Sequence, residues 1–406
     1  MEYFIHTLKN GMRLVHVPAD NGVAYCGLLL NTGSRDELEH EHGMAHFIEH
    51  VIFKGTTHRK AYHILCRLDD VGGEINAYTT KEETAFYSGF LAQHYDRAVE
   101  LLADIIFHST FPANELEKER EVIADEINSF KDNPSDQIFD DFEELIYPVH
   151  PIGRNIMGTP ETLQTFDKKA IRRFMSRTYD TDQMVICSVG KIPFPRLTKM
   201  IEKYFGEVSS KTRKIERAPI LSYLPGQEIR QLNTFQAHCV IGNIAYPAME
   251  PRRMNLILLN NLLGGQGLNS RLNMSLREKY GYAYNVESTY TPYIDTGVLT
   301  IYFGTDPEKL DKSIDLVHKE LARLRTQKLG TLQLHRAKNQ ILGQIAMSTD
   351  NKENLLFTLG KSIMLFNRFD SMETIAKKIE EITAEQLIET ANEILATDKL
   401  SMLIFR

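Results

Sequence analysis

The sequence has few cysteines, no excess of positive charge and no long apolar run. Its four cysteines lie far apart and form no Cys-x-x-Cys pair, which argues against a disulfide scaffold and a cysteine zinc knuckle. The formal net charge is −7, from 47 basic and 54 acidic residues, so no cationic surface for nucleic acid is expected. No apolar stretch approaches the roughly 20 residues of a membrane span, and the first residues lack a basic-then-apolar leader. We therefore expect a cytoplasmic protein without nucleic-acid or membrane partners.

The chain has enough residues for a large core and shows signs of an internal repeat. Its 406 residues, 42% of them apolar, predict two or three domains. An apolar strand pattern around Cys26 recurs around Cys239, and similar helical patterns follow each of them. Cys26 lies 156 residues before Asp182, and Cys239 lies 159 residues before Asp398, where similar closing strands begin. This matched spacing predicts two similar domains in tandem.

Each half of the sequence predicts an α+β fold. Adjacent strand patterns and hairpins indicate a mostly antiparallel sheet, and the helical patterns that follow indicate helices packed on one side of it. We expect an N-terminal domain over residues 1–210 and a C-terminal domain over residues 227–406. Between them, residues 211–226 are polar and basic, carry two prolines and show no periodicity, as is typical of a linker.

The most specific motif is His46-Phe-Ile-Glu49-His50. Residues four apart lie on the same face of a helix, so His46 and His50 can each offer a ring nitrogen to one metal ion. Neutral imidazoles suit zinc, which lowers the pKa of a bound water towards ~7 so that a nearby carboxylate can take its proton. The alternative is two structural histidines beside a solvent-exposed glutamate.

A third metal ligand is expected from elsewhere in the chain. One acidic helical segment offers six candidates, and residue types alone do not choose among them. Glu119 and Glu126 are seven residues apart and share a helical face with Val122 and Ile123, so one could bind the metal and the other could support a ligand. An exposed acidic helix is the alternative. The six candidates are Glu115, Glu117, Glu119, Glu121, Asp125 and Glu126.

The order His-x-x-Glu-His is the inverted zinc motif of the inverzincins. Over essentially its whole length, the sequence resembles the pitrilysin family of zinc metallopeptidases. In size and pattern it is similar to the short members, such as the mitochondrial processing peptidase β subunit and its bacterial relatives. The resemblance implies that the third zinc ligand lies about 76 residues after His50, at Glu126, with Glu119 hydrogen-bonded to a ligand. It further implies one zinc ion per chain and Glu49 as the general base.

The resemblance also implies residues that bind the substrate. Asn76 and Ala77 correspond to an edge strand beside the zinc, to which an extended peptide adds as a further strand. In the second half, Arg277 and Tyr284 correspond to residues that hold the substrate and the oxyanion, and Tyr282 is the alternative tyrosine. Without the resemblance, Asn76 and Ala77 would be interpreted as part of an ordinary strand. Arg277 would be interpreted as a surface charge, and Tyr284 as a tyrosine packed on a sheet.

The second half should carry no zinc site. Aligning the two halves pairs each proposed zinc-site residue with a side chain unsuited to zinc. We therefore expect the N-terminal domain to be catalytic and the C-terminal domain to be a degenerate copy that forms a wall of the substrate chamber. The residues paired with His46, Glu49, His50 and Glu126 are Leu259, Leu262, Leu263 and Gln344.

These observations predict a zinc-dependent endopeptidase that cleaves short or unfolded peptides by attack of metal-activated water inside a clam-shell chamber. Because the long family members have twice as many such domains, the resemblance implies a dimer. We expect a homodimer, although a heterodimer with an inactive homologue fits as well, and Arg277 and Tyr284 could act within the chain or on the partner. The main alternative is a non-catalytic partner or assembly subunit of the same fold. A zinc hydrolase acting on small non-peptide substrates would leave the edge strand unexplained.

Overall fold

The structure, a computed structural model, describes residues 2–20, 22–220, 222–232 and 234–406. The chain forms two compact units, each made of three segments. The first unit comprises residues 1–128, 154–217 and 347–371, and the second comprises residues 129–153, 218–346 and 372–406.

Each unit contains one mixed, mostly antiparallel sheet. The strands of the first are β1 (Phe4–Thr7), β2 (Arg13–Pro18), β3 (Val23–Leu30), β4 (Glu74–Thr79), β5 (Thr84–Leu91) and β6 (Met184–Gly190), in the order β1-β2-β6-β3-β5-β4. Those of the second are β7 (Gln227–Arg230), β8 (Ala237–Ile244), β9 (Ala283–Pro292), β10 (Gly297–Thr305) and β11 (Ser401–Phe405), in the order β7-β11-β8-β10-β9.

The two sheets have the same topology once β1 is set aside. In each, one outer pair of strands, β2 with β6 and β7 with β11, is parallel. The strands that follow pair antiparallel, with β3 and β8 at matching central positions. This agreement confirms the predicted fold class of two similar α+β domains.

Most of the residues outside the two sheets lie in helices. Between Leu272 and Tyr280 a π-helical stretch, Asn273–Lys279, replaces α-helix. No helix among the described residues combines the length and the apolar character that a membrane crossing requires. The α-helices are α1 (Met44–Val51), α2 (Ala61–Asp69), α3 (Tyr95–His108), α4 (Ala113–Lys131), α5 (Pro134–Ile146), α6 (Pro160–Leu163), α7 (Lys168–Thr178), α8 (Phe194–Phe205), α9 (Arg253–Gly264), α10 (Leu310–Thr326), α11 (Thr331–Asp350), α12 (Lys352–Phe366), α13 (Met372–Glu380) and α14 (Ala384–Ile394).

Helices cover both faces of each sheet, so the prediction of helices on one side only is wrong. In the first unit, α12 packs on β6 and β3 with apolar residues that include Leu355, Leu359 and Ile363. In the second, α5 packs on β8 and β11. The physical reason is visible in β6, whose seven residues are all buried, because a strand of this kind needs an apolar layer on each side.

The covering helices come from opposite halves of the sequence. Helix α12 follows the predicted linker yet belongs to the first unit, and α5 precedes the linker yet belongs to the second. The predicted domain boundaries of 1–210, 211–226 and 227–406 follow the order of the sequence and do not include this exchange. The described part of residues 211–226 contains no helix or strand, and the middle segment of the first unit ends within it, at Arg217.

Candidate metal centre

The metal-binding motif lies on α1, a helix of eight residues in the first unit. Phe47, Ile48 and Val51 are fully buried and hold one side of the helix in the core. His46 is 9% exposed, and Glu49 and His50 are partly buried, so these three side chains lie at the border of that apolar face. The helix therefore presents the imidazoles and the carboxylate from a rigid support.

The structure brings the three predicted ligands together. His46, His50 and Glu126 each offer one ligand atom, and these atoms all lie within 4.8 Å of one another. The Oε2 atom of Glu126 is 3.8 Å from Nε2 of His46 and 3.5 Å from Nε2 of His50. Among the described residues, this is the one such group of three histidine, cysteine or acidic residues.

The geometry and chemistry of this group fit a zinc ion. Two ligand atoms of a tetrahedral zinc, each about 2.1 Å from the ion, are about 3.4 Å apart, which is close to the separations from Glu126. Two imidazoles and one carboxylate are a ligand set of catalytic zinc sites. The side chain of Glu126 is 45% exposed, so one side of the group stays open to water or substrate.

The charges of these groups also suit a metal. Burial lowers the pKa of His46 to about 4, and the neighbouring His50 adds to this effect, so His46 is neutral and free to bind a cation. Burial lowers the pKa of His50 too, but the carboxylate of Glu126, with smaller contributions from Glu49 and Glu119, outweighs it and the net shift is upward. The hydrogen bond from His50 lowers the pKa of Glu126, which keeps that carboxylate ionised.

Glu119 lies behind His50 rather than in the ligand group. Its Oε2 atom is 3.3 Å from Nδ1 of His50, and its Oε1 atom is 2.6 Å from the ammonium of Lys54. A hydrogen bond from Nδ1–H to Glu119 leaves Nε2, the nitrogen that faces Glu126, as the atom of His50 that can bind a metal. Lys54 was missed in the sequence, because α1 ends at Val51 and helical spacing does not relate Lys54 to His50.

The face of α4 that carries the two glutamates differs in one detail from the prediction. The buried residues of α4 are Leu116, Glu119, Ile123 and Ile127, whereas Val122 is 49% exposed. At 100° per residue, Val122 is turned about 60° away from Glu119, in the direction opposite to Ile123. Placing Val122 on the buried face was therefore wrong.

Glu49 lies beside the end of β4. Burial raises its pKa, the charge of Glu126 adds to the rise, and the hydroxyl of Thr79 and the charge of His50 oppose it. Helix α1 packs against β4, so the carboxylate and this strand are neighbours. Tyr179 is a neighbour of Glu49 that no sequence pattern singled out. Burial raises the pKa of the Tyr179 phenol, and the charge of Glu49 raises it further.

Asn76 and Ala77 lie on the edge strand of the first sheet. Asn76 is opposite Tyr87 and Ala77 is opposite Phe86 in β5, and β4 ends the order of the sheet. Asn76 is exposed and Ala77 is partly buried. The strand therefore has one row of backbone groups without a neighbouring strand within the described residues. Whether a peptide binds there stays a prediction.

In the second unit, Arg277 and Tyr284 are surface residues. Arg277 lies in the π-helical stretch with 46% of its side chain exposed, and Tyr284 is 87% exposed on β9, the edge strand of the second sheet. Tyr284 therefore does not pack on the sheet, contrary to the ordinary interpretation of a strand tyrosine. Tyr282 is more enclosed: its ring lies 5.5 Å from that of Tyr280, and its carbonyl accepts a hydrogen bond from Thr305.

The second unit replaces the ligand side chains by apolar core residues. Leu259 and Leu263 lie on α9 and are 2% and 1% exposed within the core of that unit. Leu262 is partly buried against the same core. The positions aligned with His46, His50 and Glu49 therefore contribute to packing, as expected of a degenerate copy.

Comparison with known proteins identifies the family. The family model described as insulinase (peptidase family M16) matches residues 15–160, and that described as the peptidase M16 inactive domain matches residues 165–341. The uncharacterized zinc protease YmxG of Bacillus subtilis is 34% identical over 403 residues, which are 98% of this chain and 97% of that protein. An uncharacterized zinc protease of Rickettsia felis is 32% identical over 404 residues, with coverage of 98% and 97%.

Two solved structures share the fold. A protease from Helicobacter pylori matches with a TM-score of 0.89 at 21% identity, covering 100% of this chain and 99% of that one. A Pseudomonas fluorescens structure described as a peptidase M16 inactive domain matches with a TM-score of 0.92 at 18% identity, covering 100% and 98%. Together with the full-length relatives, these matches show that the chain belongs to peptidase family M16, the pitrilysin family of metallopeptidases, and to its short type.

Proposed function

We propose that this chain is a zinc-dependent endopeptidase that hydrolyses short or unfolded peptides. The observation that carries the proposal is the convergence of His46, His50 and Glu126 next to Glu49 and the edge strand β4, all within one unit. The relatives that are named zinc proteases support the same chemistry.

Each residue of the centre has a separate task. Zinc held by His46, His50 and Glu126 would act as a Lewis acid on the peptide carbonyl and lower the pKa of the attacking water. Glu49 takes the proton of that water and later delivers it to the leaving amine. Burial raises the pKa of Glu49, which suits both steps, because a group that takes up and releases a proton works best when its pKa lies near the working pH.

The substrate is an extended peptide that adds to β4. Backbone N–H and C=O groups on the open side of Asn76 and Ala77 pair with any extended chain, since main-chain hydrogen bonds do not depend on side chains. A folded protein offers few free strands of this kind, whereas a short or unfolded peptide does. This mode of binding favours a broad specificity for sequence and a narrow one for conformation.

Arg277 and Tyr284 complete the proposal. The exposed hydroxyl of Tyr284 is free to hydrogen-bond the oxyanion, and Arg277 can hold a substrate carbonyl. We propose a homodimer in which these residues act on the partner chain.

This arrangement can be tested by mixing inactive Glu49→Gln chains with inactive Tyr284→Phe chains. The mixed dimer should recover part of the activity, because one of its sites combines an intact Glu49 with the partner's intact tyrosine. A confirmed mixed dimer without activity would argue for action within one chain.

Metal analysis combined with cleavage of an unstructured fluorogenic peptide tests the function. We expect about one zinc ion per chain, cleavage that a chelator abolishes, and recovery on addition of zinc. Glu49→Gln should keep the zinc and slow cleavage by at least about 10²–10⁴-fold, because general-base catalysis is lost. Glu121→Gln, at an exposed glutamate of α4, is the control and should cleave at the parental rate.

Other outcomes would favour the other functions. A protein that holds no zinc and cleaves no peptide would point to a non-catalytic partner or assembly subunit. Zinc without peptide cleavage would point to a hydrolase of smaller substrates. Parental cleavage by zinc-loaded Glu49→Gln protein would remove the assigned role of Glu49.

A further inference from the structure

Helix α1 begins in an unusual way, because its first residues are capped from a distant turn. The residue before the helix is Gly43, which has no side chain and cannot cap the free N–H groups of the first turn. Glu37 supplies the acceptors instead: its Oε2 atom is 2.9 Å from the N atom of Gly43, and its Oε1 atom is 2.8 Å from the N atom of Ala45. Glu37 is 3% exposed, so both hydrogen bonds are protected from water.

We propose that Glu37 is a positioning residue that fixes the start of α1 and thereby the placement of His46, Glu49 and His50. The inference rests on the proposed metal centre. Ala45 directly precedes His46, and the two hydrogen bonds act on both sides of Met44 at the first turn. A helix of eight residues has little over two turns, so a shift at its first turn moves every side chain of the motif.

The turn that presents Glu37 is held firmly. The preceding carboxylate, Asp36, is almost fully buried and lies 2.5 Å from Nη2 of Arg213 and 2.8 Å from Nη2 of Arg217. The N atoms of Ser34 and Arg35 donate to the carbonyls of residues 80 and 81, just after β4, at 3.1 and 2.8 Å. Glu37 therefore extends from a fixed backbone rather than from a loose loop.

The residue before the helix also has no free space beside it. Gly43 has a φ of +95°, and a Cβ atom there would lie 2.6 Å from the carbonyl oxygen of Met157 and 2.7 Å from Cα of Gly158. Gly43 is thus held by a hydrogen bond to Glu37 and by close packing against residues 157–158. Burial raises the pKa of Glu37, while the N–H groups of Ala45 and Gly43 and the charge of Arg154 favour its anion.

Glu37→Gln tests the proposal in the full-length protein. The two oxygens of Glu37 each accept a hydrogen bond from one N–H group, whereas the amide of glutamine has a single oxygen. We expect the zinc dissociation constant, measured by competition with a chelator, to rise about 10–100-fold, as it does when a residue that orients metal ligands is lost. Amide hydrogen exchange at residues 43–47 should quicken by a similar factor in the zinc-free protein. If the protein cleaves peptides, kcat should fall while KM stays the same, since β4 is untouched.

Asp104→Asn is the matched control. Asp104 is also 3% exposed and accepts hydrogen bonds from Thr56, His58 and Arg59, but it bonds to no residue of α1. This variant should leave the zinc dissociation constant within about threefold of the parent. If Glu37→Gln does not fold, Glu37→Asp serves instead, because it keeps the charge but cannot reach both N–H groups.

Parental zinc affinity and parental amide exchange in a folded Glu37 variant would overturn the proposal, as would an equal loss of zinc affinity in Asp104→Asn. Neither readout requires peptide cleavage. A parent protein that binds zinc but cleaves nothing would therefore contradict the proposed peptidase function while leaving this test intact.

Discussion

The Nδ1 atom of His50 lies 3.3 Å from the Oε2 atom of Glu119, while its Nε2 atom faces Glu126. One carboxylate thus holds the ring, and the other lies beside it in the candidate metal group. Lys54, 2.6 Å from the second oxygen of Glu119, balances the charge of the buried carboxylate.

Glu119→Gln should weaken zinc binding without abolishing it. The amide can still accept a hydrogen bond from His50, but without a negative charge the bond is weaker and the ring is less firmly held. We expect the zinc dissociation constant to rise about 10–100-fold, measured by chelator competition. Glu121→Gln on the same helix, whose residue is exposed, should not change it. Equal constants for the two variants would show that Glu119 does not support the ligand.

Glu126→Ala should remove most of the bound zinc. It takes away the oxygen that lies 3.5 and 3.8 Å from the two imidazoles, and two histidines alone are a poor zinc site. Asp125→Ala, at the exposed neighbouring position, is the control and should bind one zinc ion per chain. Metal analysis of dialysed protein is the measurement. Full zinc content in Glu126→Ala would transfer the ligand role to another acidic residue, Glu119 first of all.

Zinc affinity should fall as the pH falls, because of His50. The neighbouring carboxylates hold the pKa of His50 above its ordinary value of 6.5, so at and below that pH zinc must displace a proton from it. At that pH His46, with a pKa of about 4, is neutral and Glu126, with a lowered pKa, is ionised, so neither has to release a proton to bind zinc. Calorimetry at about pH 6 in buffers of different ionisation enthalpy should therefore show release of about one proton per zinc ion. Release of two protons, or of none, would contradict these assignments.

The packing of α12 on the first sheet can be tested with two glycines. A Cβ atom on Gly360 would lie 2.6 Å from Cδ2 of Leu29 and 2.8 Å from Sγ of Cys187, so Gly360→Ala should lower the free energy of unfolding by about 1–3 kcal/mol. Gly343 in α11 has open space around it, and Gly343→Ala should raise that free energy by about 0.5–1 kcal/mol because alanine favours the helix. Urea unfolding followed by circular dichroism measures both. The same midpoint in both variants would mean that α12 does not pack as described.

Local features of the fold could be predicted from the sequence because they depend on near neighbours. The spacing of His46 and His50 predicts a shared helical face, and the acidic segment that carries Glu119 and Glu126, predicted to be helical, lies in α4, Ala113–Lys131. The repeat could also be predicted, from the matched spacing of Cys26 to Asp182 and Cys239 to Asp398, and the two sheets share one topology once β1 is set aside.

Long-range features could not be predicted in this way. The apolar residues of α12 need a buried partner surface, but nothing in their local pattern says which sheet the helix covers. Residue types alone left six acidic candidates for the third ligand; the family resemblance pointed to Glu126, and the folded arrangement of α1 and α4 brings Glu126 to the histidines. Glu37 lies six residues before Gly43, outside the positions at which a residue ordinarily caps a helix, so no sequence pattern singled it out.

The exchange of α5 and α12 between the units has a consequence for biosynthesis. As the chain leaves the ribosome, the first sheet has all six strands once Gly190 has emerged, yet one of its faces lacks the cover that α12 later supplies. Val15, Leu29 and Val185 on that face stay uncovered for roughly another 160 residues of translation, or about 10–30 s at about 5–20 residues per second. A fragment truncated at residue 210 would keep this face open permanently, so we expect it to aggregate rather than behave as an autonomous catalytic domain.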